Sequence, residues 1–346
     1  MGSAYERVLR PILFRFTPEA AHNMSIRALQ IAAACAPGKS LLRAIYHPGS
    51  RSPVKLWDLE FPNPVGIAAG MDKDALAVDG LFALGFGCVE VGTVTPLPQP
   101  GNPKPRLFRY PQHHAVVNRM GFNNAGADAM ARRLARWRKQ TGPHAPGILG
   151  VNLGKQKTTP LEEAAGDYLK SFSILADYAD YIAVNISSPN TPDLRKLQGS
   201  DYLGGILRTL NQANDERVGS GKRKIPLLLK IAPDLDQAQV EAIVGTVIDC
   251  AWDGIIATNT TIDRSAPFDE LENQGGLSGQ PLRERSNTVL RQVIKVADGR
   301  LPVIGVGGIE TADQMKEKLD AGASLVQVYT GFIYKGPGMV KGLLQG

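Results

Sequence analysis

Cysteine is scarce in this chain, and the three present, Cys35, Cys88 and Cys250, lie far apart. An odd, scattered set excludes a disulfide framework and a CxxC metal site, and it fits a reducing compartment. The five histidines form no HExxH or similar ligand pair, so no metal site is expected. No apolar run approaches the roughly 20 residues needed to cross a bilayer. The first residues are not expected to be a signal peptide, because Arg7, Arg10 and Arg15 interrupt any apolar core there. Met1-Gly2-Ser3 invites a myristoylation reading, but Glu6 stands where Ser or Thr is wanted. Acidic residues are outnumbered, 33 against 39 basic, which suggests an anionic ligand or surface. Nucleic acid is not the expected partner, since no zinc-finger spacing, RNP-like motif or dense Lys/Arg run occurs.

What is present is a repeated alternation. Eight short runs rich in Val, Ile, Leu, Ala and Gly occupy 63–70, 86–95, 147–154, 181–188, 225–232, 254–261, 302–308 and 325–331. They are nearly continuous in apolar residues, as strands buried on both faces should be. Amphipathic stretches such as 125–138, 236–250 and 311–321 separate several of them. Eight strands alternating with helices predict a (β/α)8 TIM barrel within 51–346. The alternative, an open doubly wound sheet, is disfavoured by the count of eight and by the lack of an early GxGxxG.

Residues 1–50 do not share the alternation. They predict a helical pair over 5–16 and 20–35, with basic residues exceeding acidic six to two across Arg7, Arg10, Arg15, Arg27, Lys39 and Arg43. Two readings remain open on composition: a hairpin capping the barrel, or an interfacial element resting on anionic lipid.

In such barrels the active site lies at the C-terminal strand ends. Those ends read Ala69-Gly70-Met71-Asp72-Lys73, Gly92-Thr93, Asn152, Asn185-Ile186-Ser187-Ser188-Pro189-Asn190-Thr191-Pro192, Lys230, Thr258-Asn259-Thr260-Thr261, Gly307-Gly308 and Tyr329-Thr330. Eight polar strand ends toward one face predict a composite binding site. Gly307-Gly308 precede Thr311, a good N-cap for the next helix, and together they suit a phosphate group. Lys73 and Lys230 could face a delocalised anion beside it, such as the pyrimidine edge of a reduced flavin. Asn118, Asn185, Asn190 and Asn259 offer amides suited to a flat ring rich in C=O and N–H groups. Ser188 is the base candidate, although a serine before proline often only hydrogen-bonds local backbone.

With these residues assembled, the chain resembles the class 2, quinone-dependent dihydroorotate dehydrogenases from about residue 5 onward. The resemblance rests on Ala68-Ala69-Gly70-Met71-Asp72-Lys73-Asp74, Asn118-Arg119-Met120-Gly121-Phe122-Asn123-Asn124, the Asn185 to Pro192 motif, Leu229-Lys230-Ile231-Ala232-Pro233-Asp234, Ala257-Thr258-Asn259-Thr260-Thr261 and Gly275-Gly276-Leu277-Ser278-Gly279. It implies FMN as cofactor, dihydroorotate as substrate, orotate as product, and Ser188 as base with Thr191 and Phe122 as proton relay. The implied substrate residues are Lys73, Asn118, Arg119, Met120, Gly121, Phe122, Asn185, Asn190, Asn259 and Thr260. FMN is implied to contact Ala69, Gly70, Lys73, Thr93, Asn152 and Asn185 on one side of the rim. Lys230, Thr258, Gly279, Gly308, Tyr329 and Thr330 complete that implied set.

The resemblance also implies that residues 1–50 rest on a membrane and shape a quinone tunnel lined by His22, Arg109 and Tyr329. A monomer peripheral to the cytoplasmic face of a bacterial inner membrane is expected, involved in pyrimidine biosynthesis. The soluble class 1 enzymes, which use fumarate or NAD, are disfavoured because they carry a cysteine base. Two departures stand out: Asp193 replaces a glycine found in several relatives, and the chain stops slightly early, at Gly346, so a short last helix is expected.

Overall fold

A computed structural model describes residues 4–49, 52–142, 145–265, 267–272 and 274–346. Met1-Gly2-Ser3 and the expected junction at 50–51 lie outside the described residues. Eight parallel strands close into a barrel: β1 (Val65–Ile67), β2 (Cys88–Val94), β3 (Ile148–Leu153), β4 (Tyr181–Asn185), β5 (Leu227–Ile231), β6 (Gly254–Ala257), β7 (Val303–Val306) and β8 (Leu325–Val328). Each falls inside one of the eight runs read from the sequence. Every strand pairs with its sequence neighbour, and β8 returns to β1. The architecture is a TIM barrel.

The strands are buried on both faces, so alternation within them separates two cores. One parity points inward and packs Phe61, Ala68, Cys88, Tyr181, Ala183, Leu228, Ile256, Ile304 and Leu325 together. The other parity meets the surrounding helices through residues such as Val89, Val91, Ile182, Val184 and Leu229. Two of those helices begin at side-chain caps. Asp236 and Thr311 each complete a capping box, with Gln239 and Gln314 returning the bond to the cap backbone. Thr311 is thus the N-cap expected of it.

Two additions to the barrel escaped the sequence reading. A hairpin (Val54–Leu56 and Leu59–Phe61) plugs the N-terminal mouth. There Trp57 donates to the Asp253 carbonyl at 2.7 Å and lies 6.2 Å from the Tyr181 ring. On the opposite rim, Leu107–Tyr110, Ala115–Asn118 and Gly276–Gly279 form a three-stranded antiparallel sheet. It pairs the loops after β2 and β6, so Asn118 and Gly276 lie opposite each other.

The N-terminal extension holds more than the expected pair. Tyr5–Leu9 is a π-helical turn continuing into Arg10–Leu13, followed by helices Pro18–Ala32 and Ala36–Tyr46. The third segment arises because Cys35 is extended and Pro37 fits a helix first turn. Three anchors tie the extension to the barrel. Arg106 grips Glu19 with two bonds, at 3.2 and 2.8 Å. Arg109 caps the end of the first helical segment through the carbonyls of Leu13, Phe14 and Phe16. Tyr5 donates to Ile333 at 2.8 Å. The last helix, Met339–Gln345, is short, as expected.

Glycines sort by what surrounds them. A Cβ on Gly150 would fall 2.1 Å from the Tyr181 ring inside the barrel, whereas one on Gly245 would meet nothing within 4 Å. Gly150→Ala is therefore expected to destabilise the protein by roughly 1–3 kcal/mol. Gly245→Ala, within helix Gln237–Asp249, should stabilise it by about 0.5–1 kcal/mol. Denaturant midpoints of both variants check the pair.

Candidate active site

The C-terminal rim encloses a cavity of about 1020 Å³, counted to its open mouth. Because register sets neighbours, Asn185 at the end of β4 stands beside Lys230 near the end of β5. The cavity collects most of the candidate residues. Ala69, Gly70, Lys73 and Thr93 come from the first two strand ends, and Asn118, Met120, Gly121 and Phe122 from the antiparallel insertion. Asn185, Ser188, Asn190, Lys230, Thr258, Asn259 and Thr260 follow, and Gly279, Gly308, Tyr329 and Thr330 complete the wall.

Three candidates lie elsewhere. Arg119 turns outward, with bonds to the Pro105 carbonyl at 3.1 and 3.0 Å and to Gln274 at 2.7 Å. Asn152 is fully buried beneath the wall, where it accepts from Thr93 at 2.6 Å and donates to Glu90 at 2.9 Å. Thr191 is buried outside the lining, and its hydroxyl has no partner.

The amides form two hydrogen-bonded groups. Asn185 donates to Thr93 at 3.2 Å and accepts from Asn259 at 3.2 Å. Asn190 donates to Asn118 at 2.9 Å. Ser188 Oγ accepts from the Asn190 backbone at 3.2 Å, which fixes the hydroxyl's direction. Two acceptors on the wall, Asn190 Oδ1 and Gln327 Oε1, are buried without partners. Such orphans fit a ligand bearing N–H groups.

Charge is positive here and held under burial. Lys73 donates to Asn123 at 2.6 Å, and burial, with Arg106 nearby, pushes its ammonium down to about 7. Burial also lowers Lys230, while Glu90 at 3.8 Å opposes that shift. The glycines make a different wall. Gly279, Gly307 and Gly308 have φ of 97°, 116° and 69°. A Cβ on Gly308 would fall 2.4 Å from Arg283, and one on Gly279 2.1 Å from the His114 carbonyl oxygen. Only glycine gives this backbone its course.

Several site residues were not foreseen. Arg195, in the turn Leu194–Gln198, binds the Ser187 carbonyl at 3.1 Å, Asp234 at 2.7 Å and the Thr260 carbonyl at 2.9 Å. One side chain thus ties together the loops after β4, β5 and β6, next to Ser188 and Thr260. Asp193 just precedes this turn with φ 57°, a left-handed conformation that favours glycine, and it pairs with Lys196 at 2.9 Å. Glu90 is the other omission; a lone carboxylate inside an apolar strand was the signal available.

A second cavity, apolar and about 1350 Å³, opens between the N-terminal helices and the barrel. His22 and Arg109 line it, and Tyr329 lines both cavities. Burial, with Lys73 adding to it, pushes His22 down to about 4, so its imidazole is neutral at pH 7.

The chain matches the dihydroorotate dehydrogenase family over residues 52–346. Dihydroorotate dehydrogenase (quinone) of Synechococcus sp. (strain JA-2-3B'a(2-13)) is 51% identical over 365 residues, covering 99% of this chain and 93% of that protein. The protein of the same name from Acidithiobacillus ferrooxidans is 49% identical over 342 residues, covering 98% and 93%. Among solved structures, DHODH from Eimeria tenella in complex with ferulenol is 36% identical with a TM-score of 0.85, covering 95% of this chain and 90% of that one. With these likenesses spanning barrel and extension alike, the chain belongs to the dihydroorotate dehydrogenase family.

Proposed function

We propose that this protein oxidises dihydroorotate to orotate in pyrimidine biosynthesis, with FMN as the immediate and a membrane quinone as the final electron acceptor. The observation that carries the reading is the pairing of two cavities across Tyr329. One is polar and glycine-walled, and the other is apolar and built from the N-terminal helices.

FMN fits the polar cavity on three counts. The turns at Gly279, Gly307 and Gly308 leave backbone where a Cβ would clash, which suits a phosphate. The orphaned acceptors of Gln327 and Asn190 suit ring N–H groups. Lys230 supplies positive charge. FMN held there would supply the acceptor for a hydride from C6 of the substrate.

The remaining work falls to the chain. Ser188 removes the C5 proton; its hydroxyl is oriented by the Asn190 backbone, and Phe122 and Thr191 serve as the exit for that proton. A free serine is a weak base, so orientation and the burial of Ser188 carry much of its competence. Lys73, Asn118, Asn185, Asn190, Asn259 and Thr260 hold the ring and its carboxylate, with Met120 and Gly121 at the wall. No cysteine lines the cavity, which separates this reading from a cysteine-based soluble enzyme.

Quinone would enter the apolar cavity, beside His22, Arg109 and Tyr329. Around it the extension exposes Val8, Ile12, Phe16, Ile31 and Leu41, with Ile31 at 65% exposure. No helix among the described residues is long and apolar enough to cross a membrane. An apolar surface with Arg7, Arg27 and Arg43 on the same helices, and Arg15 in the turn between the first two, supports peripheral contact with anionic lipid, at the cytoplasmic face of a bacterial inner membrane. The proposed unit of function is a monomer, with residues 1–50 as the membrane and quinone element.

Purified protein should be yellow and should bleach anaerobically with dihydroorotate; a colourless preparation that takes up no FMN would sink the cofactor assignment. In stopped-flow measurements Ser188→Ala should slow that bleaching by at least about 10²-fold. Ala28→Trp, which fills the apolar cavity, should raise the KM for quinone while leaving reduction by dihydroorotate unchanged. Equal losses in both half-reactions would count against the tunnel. Orotate binding should depend on pH through Lys73. Its ammonium attracts the carboxylate and is lost as pH rises past about 7. Affinity should therefore fall by about tenfold per unit between pH 7.5 and 8.5, and Lys73→Gln should flatten the profile.

A further inference from the structure

Glu90 is the most deeply buried charged group in the barrel, with no accessible surface, and none of the steps above uses it. It sits midway along β2 and faces inward. Three donors converge on its carboxylate: Asn152 at 2.9 Å, Tyr181 at 2.9 Å and Gln327 at 2.8 Å. The Tyr181 oxygen in turn accepts from Gln327 at 3.2 Å, so its proton is committed to Glu90. Three donors and no acceptor meet the carboxylate, which is the pairing of a carboxylate anion. Burial raises both Tyr181 and Cys88 above their ordinary values, with the Glu90 charge adding to each, which keeps both neutral.

A buried anion needs a counter-charge, and the cation is Lys230, 3.8 Å away and almost as deeply buried. Lys230 alone would lose its proton readily, because burial disfavours the ammonium; Glu90 is the one group that opposes this. The ionisable groups around Lys230 are Glu90 with Tyr181 and Cys88 behind it, and Lys73 and Tyr329 on the cavity wall. The last two supply no negative charge, since Lys73 is a base and Tyr329 is pushed up to about 12 by burial.

We propose that Glu90 is a positioning residue that keeps Lys230 charged, and through Lys230 sets the electron affinity of the flavin. The proposal rests on FMN occupying the polar cavity. The other donors then have a purpose beyond filling space. Asn152, Tyr181 and Gln327 fix the carboxylate at the floor of the cavity, and Lys230 and Gln327 carry the effect to its wall. Negative charge arriving at the flavin ring is stabilised by an ammonium and not by a neutral amine. Glu90 opposes the loss of that ammonium's proton as pH rises.

The test is the midpoint potential of bound FMN, measured against a reference dye from pH 6 to 9, with FMN content recorded separately. Glu90→Gln should retain FMN but acquire a break absent from the parent profile. At pH 6, with Lys230 still charged and its counter-charge gone, the potential should lie above the parent. At pH 9 it should lie below, with the reduced-to-oxidised ratio at the parent's midpoint lowered by at least about tenfold. Adding Lys230→Arg, whose charge does not titrate, should remove the break.

A Glu90→Gln profile parallel to the parent, or a break that survives Lys230→Arg, would overturn the proposal. If Glu90→Gln does not fold, Lys230→Arg alone decides. With Glu90 in place its profile should run parallel to the parent, and divergence above pH 7 means that Lys230 titrates unaided. A parent protein that takes up no FMN would remove the flavin reading and this proposal with it, which is a separate observation from any shift in potential.

Discussion

Closure of the parallel sheet is the constraint on which everything else depends. Once β8 pairs with β1, all eight strands end on one rim and every second residue must point inward. The rim then assembles a site from residues as distant in sequence as Lys73 and Thr330. The interior must be filled with whatever the inward parity carries. Toward the plugged mouth the filling is apolar, with Phe61, Cys88, Leu228 and Leu325. Toward the rim it turns to Glu90, Asn152, Lys230 and Gln327, and the barrel changes from core to active site over about two residues of each strand.

The strand ends were legible because their chemistry conflicts with packing. Asn185, Lys230 and Thr258 interrupt apolar runs at nearly the same relative point, and a shared offset survives without knowledge of the fold. The helix caps were legible for a similar reason, since Thr311 must satisfy local backbone whatever surrounds it. Much of the rest depends on contacts far apart in sequence. Arg195 looks like an ordinary loop arginine until three separate carbonyl and carboxylate oxygens converge on it. The antiparallel insertion reads as loop because its strands are four residues long and pair across about 160 positions. Asn152 was recognised by its place at a strand end, yet its amide serves the layer beneath the wall.

The N-terminal extension shows how a composition can be read correctly in kind and miscounted in form. Most of the apolar and basic residues do lie on helices, but a third helix, entered through extended Cys35 and Pro37, follows the expected two. Its anchors to the barrel are polar, Glu19 with Arg106 and the helix-end carbonyls held by Arg109, while the surface between them is apolar. The apolar cavity thus lies between two anchored walls, so its width is set by an ion pair and a helix cap at its edge.

The Gly150 and Tyr181 contact carries a consequence for how such a barrel can change over time. The phenol ring occupies the space that a side chain at 150 would need, and its hydroxyl is committed to Glu90. Growth at 150 demands shrinkage at 181, and shrinkage at 181 strips a donor from the buried carboxylate on a third strand. Three positions on β2, β3 and β4 therefore share one evolutionary fate, and drift at any of them alone is closed off from within.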